Sequence, residues 1–202
     1  MRGPFGFTSH LVGDVRYLDR RFDAWVEFDL DEVQRRAEHG LDSITDRRSL
    51  EALASLPLGV SIPRARIDPI VLVMLDAAPR GAVEHHGNRV RRRWRPALKL
   101  TGVVSEVRSL VEGVRHVAIL ASQAPRGVVV CSARKPQRSS MDWAAELGIG
   151  VAHRPLTGPA SELLPPRPKA VRLGPVHWRL LETVFDEALR AGVIVPVSEV
   201  AG

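Results

Sequence analysis

The chain has 202 residues, 45% of them hydrophobic, with 29 basic and 23 acidic side chains and a formal net charge of +6. This composition excludes a disordered chain, the lack of about 18 consecutive apolar residues excludes a membrane span, and the single cysteine excludes an intrachain disulfide. The charge is concentrated in residues 61–175, which hold 19 basic and 8 acidic residues, a net charge of +11. Such asymmetry indicates a polyanionic partner, most often nucleic acid.

The first half of the chain begins with an ambiguous segment, residues 14–28, which mixes aromatic and charged residues. A helix should follow, because Asp29 can cap it, Glu32 stands three residues on as in a capping box, and Gly40 can end it. A second helix is expected over residues 46–56, with Thr45 as a cap and Pro57 after it.

Residues 67–75 are short, apolar and rich in β-branched side chains, which predicts a strand. Residues 82–99 hold a basic cluster and favour an exposed strand or a loop.

The segment 101–153 predicts a strand over 101–108, a helix over 109–123 and a strand over 127–133. A helix ending at Gly148 and a strand over 149–153 should follow. Short crossovers of this kind favour an α/β fold with a central mixed sheet flanked by helices.

The C-terminal region begins with residues 155–175, whose six prolines predict a linker or an extended arm. A last helix should begin at Pro175 and end at Gly192, followed over 193–197 by a short strand or arm. The predicted domains are therefore an α/β domain with an N-terminal helical part (1–154), a Pro-rich linker or arm (155–175), and a C-terminal helix with a short strand (176–202).

Glu106 and Arg108 lie two residues apart on the predicted strand 101–108, so their side chains should share a face. With the elements around it, this pair resembles the restriction-endonuclease-like PD-(D/E)xK superfamily over about residues 67–153. The resemblance implies a restriction-endonuclease-like fold and a catalytic site in which Glu106 binds Mg²⁺, with Asp76 or Asp68, or else Glu84, as the second carboxylate. Arg108 stands where the family has lysine, and since arginine cannot readily lose a proton, we expect weak catalysis or none.

Two basic clusters are candidates for nucleic-acid binding. Guanidinium groups can bind phosphates in a fork, and a tryptophan can stack on a base. The alternative for the first cluster is a solvated basic loop with Trp94 packed inward. The first cluster contains Arg89, Arg91, Arg92, Arg93, Trp94 and Arg95, and the second contains Arg134, Lys135 and Arg138.

The interpretation is a nucleic-acid-binding protein, with DNA as the partner, that carries a nuclease-derived and degenerate site and acts in a DNA transaction. The alternatives are an active Mg²⁺-dependent nuclease and a non-catalytic assembly or adaptor protein. The last helix is acidic, so we expect a core position or contact with a second copy or a protein partner. The N-terminus lacks a secretory-signal pattern, so a cytoplasmic location without membrane contact is expected, with Cys131 as a buried structural thiol.

Overall fold

A computed structural model of the chain describes residues 4–7, 9–120, 124–168 and 174–195. The chain divides into two compact units, each made of two segments: unit 1 holds residues 1–27 and 99–172, and unit 2 holds residues 28–98 and 173–202. The division into three consecutive domains stays a prediction from the sequence. No helix in the described ranges is long and apolar enough to cross a membrane.

The elements described in unit 1 are β1 (His10–Tyr17), β2 (Arg20–Phe28), β6 (Leu98–Val107), α4 (Leu110–Ala118), β7 (Arg126–Cys131), α5 (Arg138–Glu146), β8 (Ile149–Arg154) and β9 (Ser161–Leu164). The six strands form a mixed sheet with the order β1-β2-β6-β7-β8-β9, which confirms the predicted α/β class. Two helices, α4 and α5, connect its parallel strands.

The ambiguous segment 14–28 belongs to the antiparallel hairpin of β1 and β2. Leu18 and Asp19 form its two-residue turn with φ values of 49° and 58°, the left-handed conformation that suits a tight hairpin. Asp14, with φ 53°, lies where the register shifts between Val12 and Val15, as expected of a bulge. The bulge interrupts the alternation of side chains, which explains why this hairpin has no clear strand pattern.

The predicted order strand, helix, strand, helix, strand over 101–153 is confirmed as β6-α4-β7-α5-β8. The three strands are parallel neighbours, and their apolar side chains alternate between two buried faces. On one face Val104, Val129 and Ala152 pack with Phe7 and Trp25. The first helix was predicted to reach residue 123, but α4 ends at Ala118; residues 121–123 lie outside the described ranges.

The Pro-rich segment was predicted to be a linker or arm, and part of it is instead the edge strand β9. It pairs antiparallel with β8, so that His153 lies opposite Ser161. Its four residues contain no proline, and the prolines around them hid this short strand, because proline cannot donate to a ladder.

The described residues of unit 2 form α1 (Leu30–Glu38), α2 (Arg47–Ala54), β3 (Ser61–Pro63), α3 (Pro69–Asp76), β4 (Val83–His86), β5 (Arg89–Arg92) and α6 (Pro175–Arg190). These four α-helices accompany a three-stranded sheet in the order β3-β5-β4. Both pairings of this sheet are antiparallel.

The helix predicted after Asp29 is confirmed as α1, and the Asp29 carboxylate accepts a hydrogen bond from the Glu32 N–H at 3.1 Å. The second helix is also present as α2, but its cap is Asp46 rather than Thr45. The Asp46 carboxylate accepts from the Ser49 N–H at 2.7 Å. A carboxylate is the better acceptor and favours the positive end of the helix.

The strand predicted over 67–75 is wrong, because this segment forms helix α3. Asp68 caps it, and Pro69 occupies its first turn, where proline needs no hydrogen-bonded N–H. The Asp-Pro pair is a signal for the start of a helix, and it outweighs the β-branched composition of the segment.

The predicted last helix is confirmed as α6, which buries seven residues in unit 2. One of them, Glu182, accepts two hydrogen bonds from the Arg36 guanidinium at 2.8 and 2.9 Å and one from the Ile44 N–H at 2.7 Å. Residues 193–195 are not a strand, and 196–197 lie outside the described ranges.

Candidate nucleic-acid interface

The carboxyl ends of the three parallel strands meet at one edge of unit 1. The strands run in register, with Val107 opposite Val130 and Cys131 opposite Arg154. Parallel sheets commonly bind ligands outside the carboxyl ends of their strands. We call residues 105–108, 131–138 and 154 the carboxyl edge.

Glu106, the predicted metal ligand, is half-exposed at this edge and joins side chains from all three strands. Its Oε2 accepts a hydrogen bond from Arg154 Nη1 at 2.8 Å and lies 3.9 Å from Cys131 Sγ. The ion pair removes much of the negative charge that a cation would need. The buried thiol predicted for Cys131 is corrected to a partly exposed one, because this residue ends β7.

A cleft of about 500 Å³ lies beside Glu106 and takes side chains from β2, β6 and α4. The Glu112 carboxylate lies 3.6 Å from the His116 ring nitrogen, and Arg21 binds Asp14 at 2.7 Å. In the described ranges no ion pair engages Arg20 or Arg108, both of which are exposed. The cleft is lined by Asp19, Arg20, Arg21, Ser105, Glu106, Val107, Arg108, Glu112 and His116.

The second basic cluster follows β7 at the same edge. Arg134 and Lys135 are exposed in the loop, and Arg138 is the first residue of α5. The cap residue Gln137 makes no side-chain hydrogen bond to the helix, which leaves the first N–H groups of α5 without a side-chain acceptor. No ion pair holds these three cations within the described part of the chain.

The proposed second carboxylates lie in unit 2, whereas Glu106 and Arg108 lie in unit 1. Asp68 accepts from the Ile70 N–H at 2.8 Å as the cap of α3. Asp76 is bound by both Arg64 nitrogens at 2.5 and 2.9 Å, and these hydrogen bonds hold the pKa of Asp76 below its usual value. In the described ranges no group of three histidine, cysteine or acidic residues could hold a metal ion.

The first basic cluster lies on and just after β5, where side chains alternate between two faces. Val90 and Trp94 point inward and are fully buried, and Trp94 packs on Trp178 with 5.0 Å between the ring centroids. The alternative arrangement, with Trp94 packed inward, is therefore the one observed. Arg89 is engaged locally, since it donates to the Ser61 carbonyl at 2.6 Å.

Six ionisable cleft and edge residues were not identified from the sequence. Arg154 directly follows the predicted strand 149–153, so its place at the carboxyl edge could have been predicted once parallel strands were expected. The others depend on the β1–β2 hairpin and on the side of α4 that faces the cleft. These six residues are Asp19, Arg20, Arg21, Glu112, His116 and Arg154.

Comparison with known proteins found no matching family model, no matching curated protein and no matching solved structure.

Proposed function

We propose that this protein binds DNA through the carboxyl edge of unit 1, and that this edge derives from a nuclease site that no longer supports efficient catalysis. One observation carries the proposal: four exposed cations without an ion-pair partner in the described ranges follow two neighbouring parallel strands. They are Arg108 after β6, and Arg134, Lys135 and Arg138 after β7.

This arrangement suits a phosphate backbone. Arginine offers paired N–H donors that fit the oxygens of a phosphate, and its charge persists at any working pH. The N-terminus of α5, which no side chain caps, adds backbone donors and a partial positive charge beside Arg138. Binding of this kind is sequence-independent and should depend strongly on salt.

The donor groups at this edge are a poor fit for Mg²⁺. Glu106 is paired with Arg154, and the cleft's other carboxylates, Asp19 and Glu112, lie near Arg16 and His116. Magnesium binds best to carboxylates free of competing cations. We therefore infer an edge that derives from a nuclease site, as the PD-(D/E)xK resemblance implies, and that no longer holds a metal ion well.

A docking role through α6 has less support. Seven of its sixteen residues are buried within unit 2, including the acidic residue Glu182. In the described ranges the exposed cations of the carboxyl edge have no comparable packing or ion-pair role, which favours DNA binding over the adaptor alternative.

Removing charge from the edge should weaken DNA binding and its salt dependence together. In the triple variant Arg108→Ala, Arg134→Ala, Arg138→Ala we expect on the order of a tenfold loss of affinity at low salt. The slope of log K against log salt should become shallower by about 0.9 for each phosphate that the variant no longer binds. Fluorescence anisotropy with a short duplex, titrated at several salt concentrations, measures both quantities.

The matched control removes the same charge elsewhere. Lys99 lies near the start of β6, and Arg48 lies on α2. Arg167 lies beside the amino end of β8, where its backbone N–H donates to the Gly148 carbonyl. The triple variant Arg48→Ala, Lys99→Ala, Arg167→Ala should keep nearly the wild-type slope. Equal losses of affinity in both triples, or no wild-type binding at low salt, would contradict the proposal.

Cleavage should be slow or absent when the protein meets DNA with Mg²⁺ or Mn²⁺, because Glu106 is paired with Arg154 and the lysine position holds Arg108. Any cleavage that does occur should be abolished in Glu106→Ala, with binding largely retained. A gel assay with labelled duplex and single strands checks this, with Glu162→Ala as a matched exposed-carboxylate control. Rapid cleavage that survives Glu106→Ala would place the chemistry at another site.

A further inference from the structure

A small pocket within unit 2 is lined mainly by arginine. It has a volume of about 220 Å³, and its lining residues all belong to this unit, so it shares no residue with the carboxyl edge. Five guanidinium groups and one carboxylate line it. The lining residues are Glu32, Arg35, Leu58, Gly59, Arg91, Arg92, Arg93 and Arg95.

The sequence builds this pocket from consecutive arginines on and after β5 and a turn that lies against them. The Gly59 N–H donates to the Arg92 carbonyl at 3.0 Å, which holds the turn beside the strand. Gly59 has a φ of +73°, a conformation that side chains rarely adopt, and its Cβ position would lie 3.8 Å from Arg91 Nη2. The backbone therefore comes close to the Arg91 guanidinium.

The carboxylate in the lining is already occupied. Glu32 accepts from Arg35 at 2.7 and 2.9 Å and from the buried Arg36 at 3.0 Å. Arg95 binds Asp29 at 3.0 Å, outside the lining. Neither acid is free to neutralise the remaining three arginines.

Those three arginines are weakly compensated. Arg91 and Arg93 share Glu84, at 3.9 and 3.5 Å, and both distances exceed that of a good charged hydrogen bond. Arg92 has no carboxylate partner among the described residues; its Nη1 donates to the Leu53 carbonyl at 2.9 Å and its guanidinium stacks on Trp178 at 5.1 Å. Burial lowers the pKa of Arg92, as expected for a charge held without a counterion.

Two lining arginines also carry hydrogen-bond donors that have no acceptor in the described ranges. The Nε atoms of Arg91 and Arg92 are buried and have no acceptor among the described residues. Buried donors without acceptors are costly and uncommon. Two lining residues therefore carry unused donors, beside an excess of positive charge that an oxyanion in the pocket would neutralise.

We propose that this pocket binds a single phosphate group, as inorganic phosphate or as a phosphomonoester, with Arg91 and Arg93 as its principal ligands and Arg92 as a supporting charge. A divalent tetrahedral anion matches several converging arginine forks and fits the volume of the pocket. The proposal goes beyond DNA binding at the carboxyl edge and does not rest on it.

The test uses the full chain with inorganic phosphate as the probe, at ionic strength held constant with NaCl. We expect saturable binding by calorimetry and a phosphate-dependent rise in Tm, because a ligand that binds only the folded state stabilises it. Arg91→Gln with Arg93→Gln should weaken phosphate binding at least tenfold. Arg92 is left intact, because its stacking on Trp178 makes its replacement a threat to folding.

The matched control, Arg48→Gln with Arg167→Gln, removes the same charge from exposed positions outside both proposed sites and should bind phosphate like the wild type. Denaturant unfolding without phosphate verifies that both double variants fold. The proposal is overturned if phosphate acts no differently from NaCl at equal ionic strength, or if the Arg91 and Arg93 variant binds phosphate as tightly as the wild type.

Two further probes identify the source of the phosphate. If a strand end is the ligand, the wild type binds a 5′-phosphorylated oligonucleotide more tightly than its 5′-hydroxyl form, and the Arg91 and Arg93 variant loses that preference. Equal binding of both oligonucleotides beside tight binding of inorganic phosphate assigns the pocket to a free phosphate compound. Phosphate binding without any duplex binding would refute the function proposed for unit 1 and leave this pocket standing.

Discussion

Replacing Arg36 by methionine is expected to lower the free energy of unfolding by about 3–5 kcal/mol, because it leaves the Glu182 carboxylate buried without a counterion and leaves Glu32 with Arg35 as its close partner. The Arg36 side chain is 1% exposed, and it bonds Glu32 at 3.0 Å and Glu182 at 2.8 Å. Burial raises the pKa of Glu32, but hydrogen bonds from Arg35 and Arg36 outweigh it and hold that pKa below its usual value. Chemical denaturation near neutral pH, followed by circular dichroism, measures the change.

Two variants separate the buried network from charge loss in general. Arg47→Met removes an arginine from an exposed pair with Glu51 and should leave stability nearly unchanged. Adding Glu32→Gln and Glu182→Gln to Arg36→Met removes the buried charges while keeping an acceptor for the Ile44 N–H, and should recover part of the stability. If Arg36→Met unfolds like Arg47→Met, the network contributes little to stability.

This network shows where prediction from sequence ends. Glu32 and Arg36 are four residues apart on a helix that was predicted correctly, so their ion pair could have been predicted from the sequence. Glu182 lies 146 residues further along the chain and reaches Arg36 only through the packing of α1 and α6 within unit 2. An acidic residue on the last helix therefore looked like surface charge, and the structure makes it fully buried.

Part of the candidate site could likewise be predicted from local sequence signals, and part could not. The strands that carry Glu106 and Cys131 near their carboxyl ends were predicted because their apolar runs and the helical period between them are local signals. The ion pair of Glu106 with Arg154 depends on strand order and register, which those signals do not contain. It is this pair, more than the presence of arginine at 108, that argues against a ready metal ligand.

The segment 67–75 failed for a different reason. Its residues are apolar and β-branched, which favours a strand, but Ile70 and Val73 are 69% exposed on helix α3. An apolar, β-branched composition indicates both a buried segment and an extended backbone. Here the cap at Asp68 and Pro69 set a helical backbone, and the helix leaves several of its apolar side chains exposed.

The other large expected effect concerns Trp94, whose ring could contribute to base stacking or to packing. Its side chain is 0% exposed, within a core cluster that includes Leu50, Leu53 and Val90. Trp94→Ala should therefore cost about 3–5 kcal/mol through the cavity it leaves. Trp94→Phe should cost less, because the indole N–H has no acceptor in the described ranges and the change removes only volume.

DNA affinity separates the two roles of Trp94. The folded Trp94→Phe variant should bind duplex and single strands as the wild type does, because a buried ring cannot stack on a base. The edge triple Arg108→Ala, Arg134→Ala, Arg138→Ala serves as the opposite case, with binding reduced and stability nearly unchanged, since all three side chains are exposed. A tenfold loss of single-strand affinity in Trp94→Phe, with its unfolding curve close to wild type, would mean that the ring leaves the core to meet a base.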